Sequence, residues 1–77
     1  MKVKIIVTLK SGVLDPQGKA IQQTLNGMGF SNLKEVRQGK YFDIDIDETN
    51  ESKAKLVAED MCKKLLTNLV IEDFKII

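Results

Sequence analysis

A chain of 77 residues and 8.7 kDa has room for one domain, and size scaling gives it a folded surface of roughly 4,700 Å² from about 12,600 Å² unfolded, a thin core that self-association would help. Twelve Lys and Arg against eleven Asp and Glu leave a formal charge of +1, too little for a general nucleic-acid binder of this size. A single cysteine excludes an internal disulfide, and the lack of histidine removes the commonest general base and metal ligand.

The chain begins with an alternation. Val3, Ile5, Val7 and Leu9 face one way and Lys2, Lys4, Thr8 and Lys10 the other, which predicts a half-buried strand over residues 2–10. Ser11-Gly12-Val13-Leu14 connects it to a helix with Asp15 as N-cap and Pro16 at the first helical position. Ile21, Leu25 and Met28 form the helix's apolar stripe; Gly27 and Gly29 end it, Gly29 being suited to a left-handed cap. Leu33–Gln38 reads as a short second strand and Gly39-Lys40 as a tight turn. Tyr41–Asp47 reads as a third strand, with Phe42, Ile44 and Ile46 inward and Tyr41, Asp43, Asp45 and Asp47 outward. Thr49 or Asn50 caps a second helix whose stripe is Ala54, Val57, Ala58, Met61 and Leu65, flanked by Cys62 and Leu66. Asn68 ends that helix, and Leu69–Ile77 follows as a fourth strand.

The order βαββαβ predicts the α+β class: a ferredoxin-like sandwich, one domain over residues 1–77, with a four-stranded antiparallel sheet in order 4-1-3-2 and both helices on one face. Charge is unevenly placed. Residues 1–40 hold seven cations and two anions (+5), and residues 41–77 hold five cations and nine anions (−4). Such halves can neutralise each other within one fold, the preferred reading, or across a symmetric dimer; in this topology Lys2 and Lys4 can meet Asp45 and Asp47 across the central strands. The terminal strand is apolar on both faces, with Leu69, Ile71 and Ile77 on one and Val70, Phe74 and Ile76 on the other. An edge strand of that kind is expected to be covered by another chain, with Ile71, Phe74, Ile76 and Ile77 serving self-association. Phe74 and Ile76 suit the core of their own chain equally well.

Four local patterns touch on chemistry, and none completes it. Gly12–Ala20 reads GVLDPQGKA between a strand and a helix, where a phosphate-binding loop would sit. It has five residues rather than four between its glycines, Ala20 in place of a magnesium-binding hydroxyl, and Asp15 to repel a phosphate. It reads as a capped strand-to-helix turn. Asp43, Asp45 and Asp47 do not make a calcium loop, because the sixth and twelfth positions are Glu48 and Ala54. Gly39-Lys40-Tyr41-Phe42 echoes an RNA-recognition strand, yet only Tyr41 reaches the open face, among three carboxylates. Cys62 lies beside the helix stripe with no histidine to deprotonate it, as a core thiol does. No catalytic, cofactor-binding or metal-ligating residues are expected.

Leu9–Gly18, reading LKSGVLDPQG, closely resembles the signature of the PurS family, the small subunit of bacterial and archaeal phosphoribosylformylglycinamidine (FGAM) synthase. Val36–Lys40, Met61–Leu66, Asn68 and Val70–Asp73 follow in family order, so the resemblance spans essentially the whole chain. Leu69 and Phe74 depart from it, standing where the family often has proline and tyrosine. The resemblance implies a non-catalytic assembly subunit in the fourth step of purine biosynthesis. It would bridge a glutaminase subunit, which releases ammonia, and a large synthetase subunit, which uses ATP and Mg²⁺ to form the carbon–nitrogen bond. It implies no cofactor in this chain, a homodimer or homotetramer, and no nucleic-acid or membrane partner. The determinants expected to face the partner subunits are Gly12, Asp15, Pro16, Gln17, Gly18, Arg37, Gly39 and Lys40.

The competing reading is an ACT-like dimeric module that senses a small molecule, which shares the topology. The longest apolar runs, such as Ile5-Ile6-Val7 and Leu69-Val70-Ile71, are three residues long, against about 20 for a membrane span and about 7–15 for a signal-peptide core. With a lone thiol besides, the expected compartment is the cytoplasm.

Overall fold

The computed structural model describes residues 1–77. Three strands and two helices follow in the order β1 (Lys2–Leu9), α1 (Pro16–Gly27), β2 (Gly39–Asp45), α2 (Glu51–Met61) and β3 (Glu72–Ile76). A single π-helical stretch, Cys62–Leu66, extends α2. The sheet is antiparallel in the order β2-β1-β3. β1 lies at its centre because its alternation gives it one face to bury, and Val3, Ile5 and Val7 are buried there. Phe42 and Ile44 of β2 and Phe74 and Ile76 of β3 flank them on that face.

α2 closes this face. Asn50 caps it, its side-chain oxygen accepting from the Lys53 N–H at 3.1 Å. The buried row is Ala54, Ala58 and Cys62, with Leu66 packed beside it. That row is narrower than the expected stripe: Val57 is half-exposed and Leu65 is 84% exposed. The cause is the widened turn. The Thr67 N–H donates to the Cys62 carbonyl, five residues back, so the last turn rotates Leu65 outward and Leu66 inward.

The sheet has three strands where four are expected, and the difference lies at residues 33–38. They are irregular, and the N–H groups of residues 33–37 donate to nothing within the chain. Gly39 and Lys40 do not turn the chain; they open β2. The chain therefore runs on from residue 33 to residue 45 without reversing, and the segment 33–38 lies beyond the sheet alongside α1. The register also shifts the expected charge pairs. Lys2 stands opposite Asp45, but Lys4 stands opposite Asp43, not Asp47. The terminal strand is shorter than expected, because Asn68–Ile71 is a turn: the Ile71 and Glu72 N–H groups both donate to the Asn68 carbonyl.

The other helix expected on the sheet, α1, is displaced with it. α1 makes no extensive contact with any strand or with α2. The molecule measures 48 × 24 × 15 Å with a radius of gyration of 15.9 Å, against about 11.5 Å for a compact chain of this length. α1 and residues 28–38 form an arm. Ile21 and Leu25 on its stripe are half-buried to exposed, and Met28 and Phe30 are exposed. No helix is long and apolar enough to cross a membrane.

Candidate interaction surface

The arm meets the sheet at one junction, built around Asp15. Its backbone is extended, which lets the side chain fold back over the first turn of α1. Oδ1 accepts from the Gly18 N–H at 2.9 Å and Oδ2 from the Gln38 N–H at 2.6 Å. The second bond spans 23 residues and ties the start of α1 to the end of the returning segment. The Gln38 N–H, then the Gly18 N–H, hold the Asp15 carboxyl below its ordinary value of 3.8; burial acts the other way, and the Arg37 charge adds to the lowering.

Gly18 is buried against this carboxylate. A Cβ there would meet the Val36 carbonyl oxygen at an impossible distance and Asp15 Oδ2 at 2.7 Å. Only glycine lets the helix and the returning segment lie so close. Gln17 accepts a 2.7 Å bond from the Gln38 side chain, and Gln22 reaches the Lys34 carbonyl. Arg37 binds the preceding loop: Nη1 donates to the Val13 carbonyl at 2.7 Å and Nη2 to the Lys10 carbonyl at 3.1 Å. Gly12 gives that loop its positive φ of 87°. Gly39 has its own close neighbour, since a Cβ there would stand 2.6 Å from the Val7 carbonyl oxygen.

Asp15, Pro16, Gln17, Gln38, Gly39 and Lys40 line one open groove of about 250 Å³ between the arm and the sheet end. Glu72 closes its far side. It is buried, its Oε1 accepting from the Asn68 N–H at 2.8 Å and its Oε2 lying 3.4 Å from Lys40 Nζ. The eight residues expected to face partners thus gather at the junction, with Gly12 and Arg37 on its loop side. Their roles divide. Asp15 and Gly18 are buried, and Arg37, itself exposed, spends its guanidinium on the carbonyls of the loop. Pro16, Gln17, Gly39 and Lys40 are the exposed part, together with Gly12. Of the residues expected to serve self-association, Phe74 and Ile76 pack against the chain's own core, while Ile71 and Ile77 remain exposed.

Sequence reasoning missed Gln38 and Glu72. Gln38 contributes a backbone N–H, which leaves no trace in residue type. Glu72 was legible, because it shares the parity of Phe74 and Ile76 and so faces the core side of the sheet. Cys62 is buried, and burial pushes its thiol up from the ordinary value.

A small α+β module with a tightly fastened loop and an outstanding helical arm is built for contact with other chains. The PurS family, described as phosphoribosylformylglycinamidine (FGAM) synthase, matches residues 2–77. The PurS subunit of FGAM synthase from Methanocaldococcus jannaschii is 51% identical over 75 residues, covering 97% of this chain and 90% of that protein. Its Bacillus subtilis counterpart is 47% identical over 74 residues, covering 96% and 87%. Among solved structures, the M. jannaschii PurS crystal structure superposes with a TM-score of 0.88 over 99% of this chain and 92% of that one. A chain of the Thermotoga maritima PurLQS structure superposes with a TM-score of 0.90 at 30% identity, over 99% and 93%. This chain belongs to the PurS family, subunits of FGAM synthase, and that membership displaces the ACT-like sensing alternative.

Proposed function

We propose that this chain is the non-catalytic assembly subunit of its FGAM synthase, docking the glutaminase subunit to the ATP-dependent synthetase subunit so that ammonia passes between them. The observation that carries this reading is the match of residues 2–77 to the PurS family, together with the superposition of this chain on a chain of the T. maritima PurLQS structure. ATP and Mg²⁺ then belong to the synthetase subunit, and this chain holds no cofactor. The compartment is the cytoplasm. The subunit works as a homodimer or a pair of homodimers, and association completes the sandwich of four strands and two helices.

The contact residues for the larger subunits are the exposed rim of the junction, Gly12, Pro16, Gln17, Gly39 and Lys40. Asp15, Gly18 and Arg37 hold that rim in shape. Such a subunit affects nitrogen delivery and not the bond-forming step. The test is FGAM formation by the synthetase and glutaminase, with glutamine or with ammonium chloride as nitrogen source. Omitting this chain is expected to abolish the glutamine-dependent reaction and to spare the ammonia-dependent one. Equal glutamine-dependent rates with and without the chain would overturn the assignment. Substituting Lys40→Glu is expected to raise the chain concentration needed for half-maximal glutamine-dependent activity.

A further inference from the structure

We propose that the groove between Pro16-Gln17 and Gly39-Lys40 receives one arginine side chain of a larger synthase subunit, whose guanidinium takes Glu72 from Lys40. The proposal rests on the assembly reading above and names the chemistry that the partner presents there.

The first observation is a carboxylate where strand parity calls for an apolar side chain. Glu72 opens β3 opposite Leu9, on the same face as Phe74 and Ile76, and it is 8% exposed. Buried charges are ordinarily both paired and hydrogen-bonded. Oε1 meets that condition, accepting from the Asn68 N–H at 2.8 Å. Oε2 does not, because it receives no hydrogen bond from any group of the chain. Lys40 Nζ lies 3.4 Å from it, beyond the roughly 2.7–2.9 Å of a charge-assisted hydrogen bond. Lys40 is also loosely held, its side chain 58% exposed. Departures of this kind from the local rules of folding gather at functional sites.

The second observation is the groove that Glu72 and Lys40 share. Its charged lining is two carboxylates, Asp15 and Glu72, against one ammonium, Lys40, so it is short of one positive charge. Both Asp15 oxygens are engaged by main-chain N–H groups, which leaves Glu72 Oε2 as the free charged acceptor. Gln38 adds a neutral one: its side-chain nitrogen donates to Gln17, and its side-chain oxygen accepts from nothing within the chain. Leu9 and Pro16 offer apolar wall to a methylene stem. The volume of about 250 Å³ falls below the range of about 300–1,000 Å³ for small-molecule sites, which suits one inserted side chain and not a free metabolite.

Guanidinium fits this groove better than ammonium. Lys40 already brings an ammonium to Oε2 and makes no hydrogen bond with it. A planar guanidinium presents its donors in a fixed fork, reaches two acceptors at once and is more weakly hydrated. The cation comes from a different polypeptide. Arg37 is the chain's only arginine, and its guanidinium is bound to the Val13 and Lys10 carbonyls, so a second copy has none to offer. Released from Glu72, Lys40 turns to the rim and serves there as a contact.

The test has two arms. In the first, the isotopically labelled chain is titrated with ethylguanidinium chloride and, at equal ionic strength, with ethylammonium chloride, and amide shifts are followed by NMR. Ethylguanidinium is expected to give saturable shifts at Gln38, Gly39, Asn68 and Glu72, at a concentration several-fold below that of ethylammonium. Lys40→Met, which removes the competing ammonium, is expected to tighten binding several-fold, and Glu72→Gln to abolish saturation. Shifts that do not saturate, that match those of ethylammonium, that ignore Lys40→Met or that survive Glu72→Gln overturn the proposal. In the second arm, Glu72→Gln is expected to raise the chain concentration for half-maximal glutamine-dependent activity of the reconstituted synthase at least about tenfold. A chain that is required for that activity, but whose Glu72→Gln variant acts at the parental concentration, overturns the guanidinium site and leaves the docking role standing. A chain that is not required overturns both.

Discussion

Replacing Gly18 by alanine probes the junction most sharply, and the structure sets both the sign and the size of the effect. The new Cβ would strike the Val36 carbonyl oxygen, stand 2.7 Å from Asp15 Oδ2 and 3.0 Å from Asp15 Cγ. Neither neighbour is the free end of a flexible side chain. Val36 is main chain, and the Asp15 carboxylate is fixed by the Gly18 and Gln38 N–H groups. Overpacking of this kind costs about 1–3 kcal/mol, and loosening a hydrogen bond to a charged group costs about 1.5–3 kcal/mol. Against that, alanine gains about 0.5–1 kcal/mol over glycine inside a helix. The net expectation is a loss of about 1.5–5.5 kcal/mol, a fall in Tm of roughly 4–8 °C per kcal/mol for a domain of this size. Gly27→Ala is the matched control. It lies at the other end of α1 with open space around it and no positive φ, so the helix gain of up to about 1 kcal/mol stands alone. Urea and thermal unfolding followed by circular dichroism, at one fixed chain concentration, should move the two variants in opposite directions. Two alanines that shift stability equally would refute the reasoning about the junction.

Three further outcomes follow from the same contacts. Asp15 has a folded-state value below its ordinary 3.8, so its charged form stabilises the fold above about pH 4 and that contribution is lost as pH falls through the lowered value; the stability gap between the parent chain and Asp15→Asn should therefore be wide at pH 7 and narrow toward pH 3. Glu72→Ala leaves the Asn68 N–H and Lys40 without their acceptor and should cost about 1–3 kcal/mol, whereas Glu72→Gln, which keeps an acceptor for Asn68, should cost less than half as much in the same urea titration. Cys62 is fully buried with its thiol pushed up, so a colorimetric disulfide reagent should titrate one thiol per chain in denaturant and almost none in buffer over the same minutes.

What was legible in the sequence is what local patterning dictates. Alternation at Val3, Ile5 and Val7 gave the central strand, Asp15-Pro16 fixed the start of α1 to the residue, and Asn50 is the cap of α2. The composition of Leu33–Gln38 suits a strand, yet strand formation also needs an edge within reach, and the segment is irregular. Gly39-Lys40 runs straight and carries residues 33–38 past the sheet, and residue type does not dictate whether such a pair turns or extends. Regular helical spacing places Leu65 on the α2 stripe, and the π-turn at Cys62–Leu66 moves Leu65 out and Leu66 in. At the junction, the LDPQG block located the right residues, but their inward and outward roles depend on hydrogen bonds to the main chain of Gln38, Val13 and Lys10.

Sedimentation velocity on a mixture of the synthetase and glutaminase subunits, run with and without this chain in the presence of glutamine and ADP, addresses the docking role most directly. With the chain present, all three polypeptides should travel together in one faster boundary, and without it the two enzymes should separate. Two enzymes that co-sediment unaided, or a chain left behind in the slow boundary beside them, would contradict it.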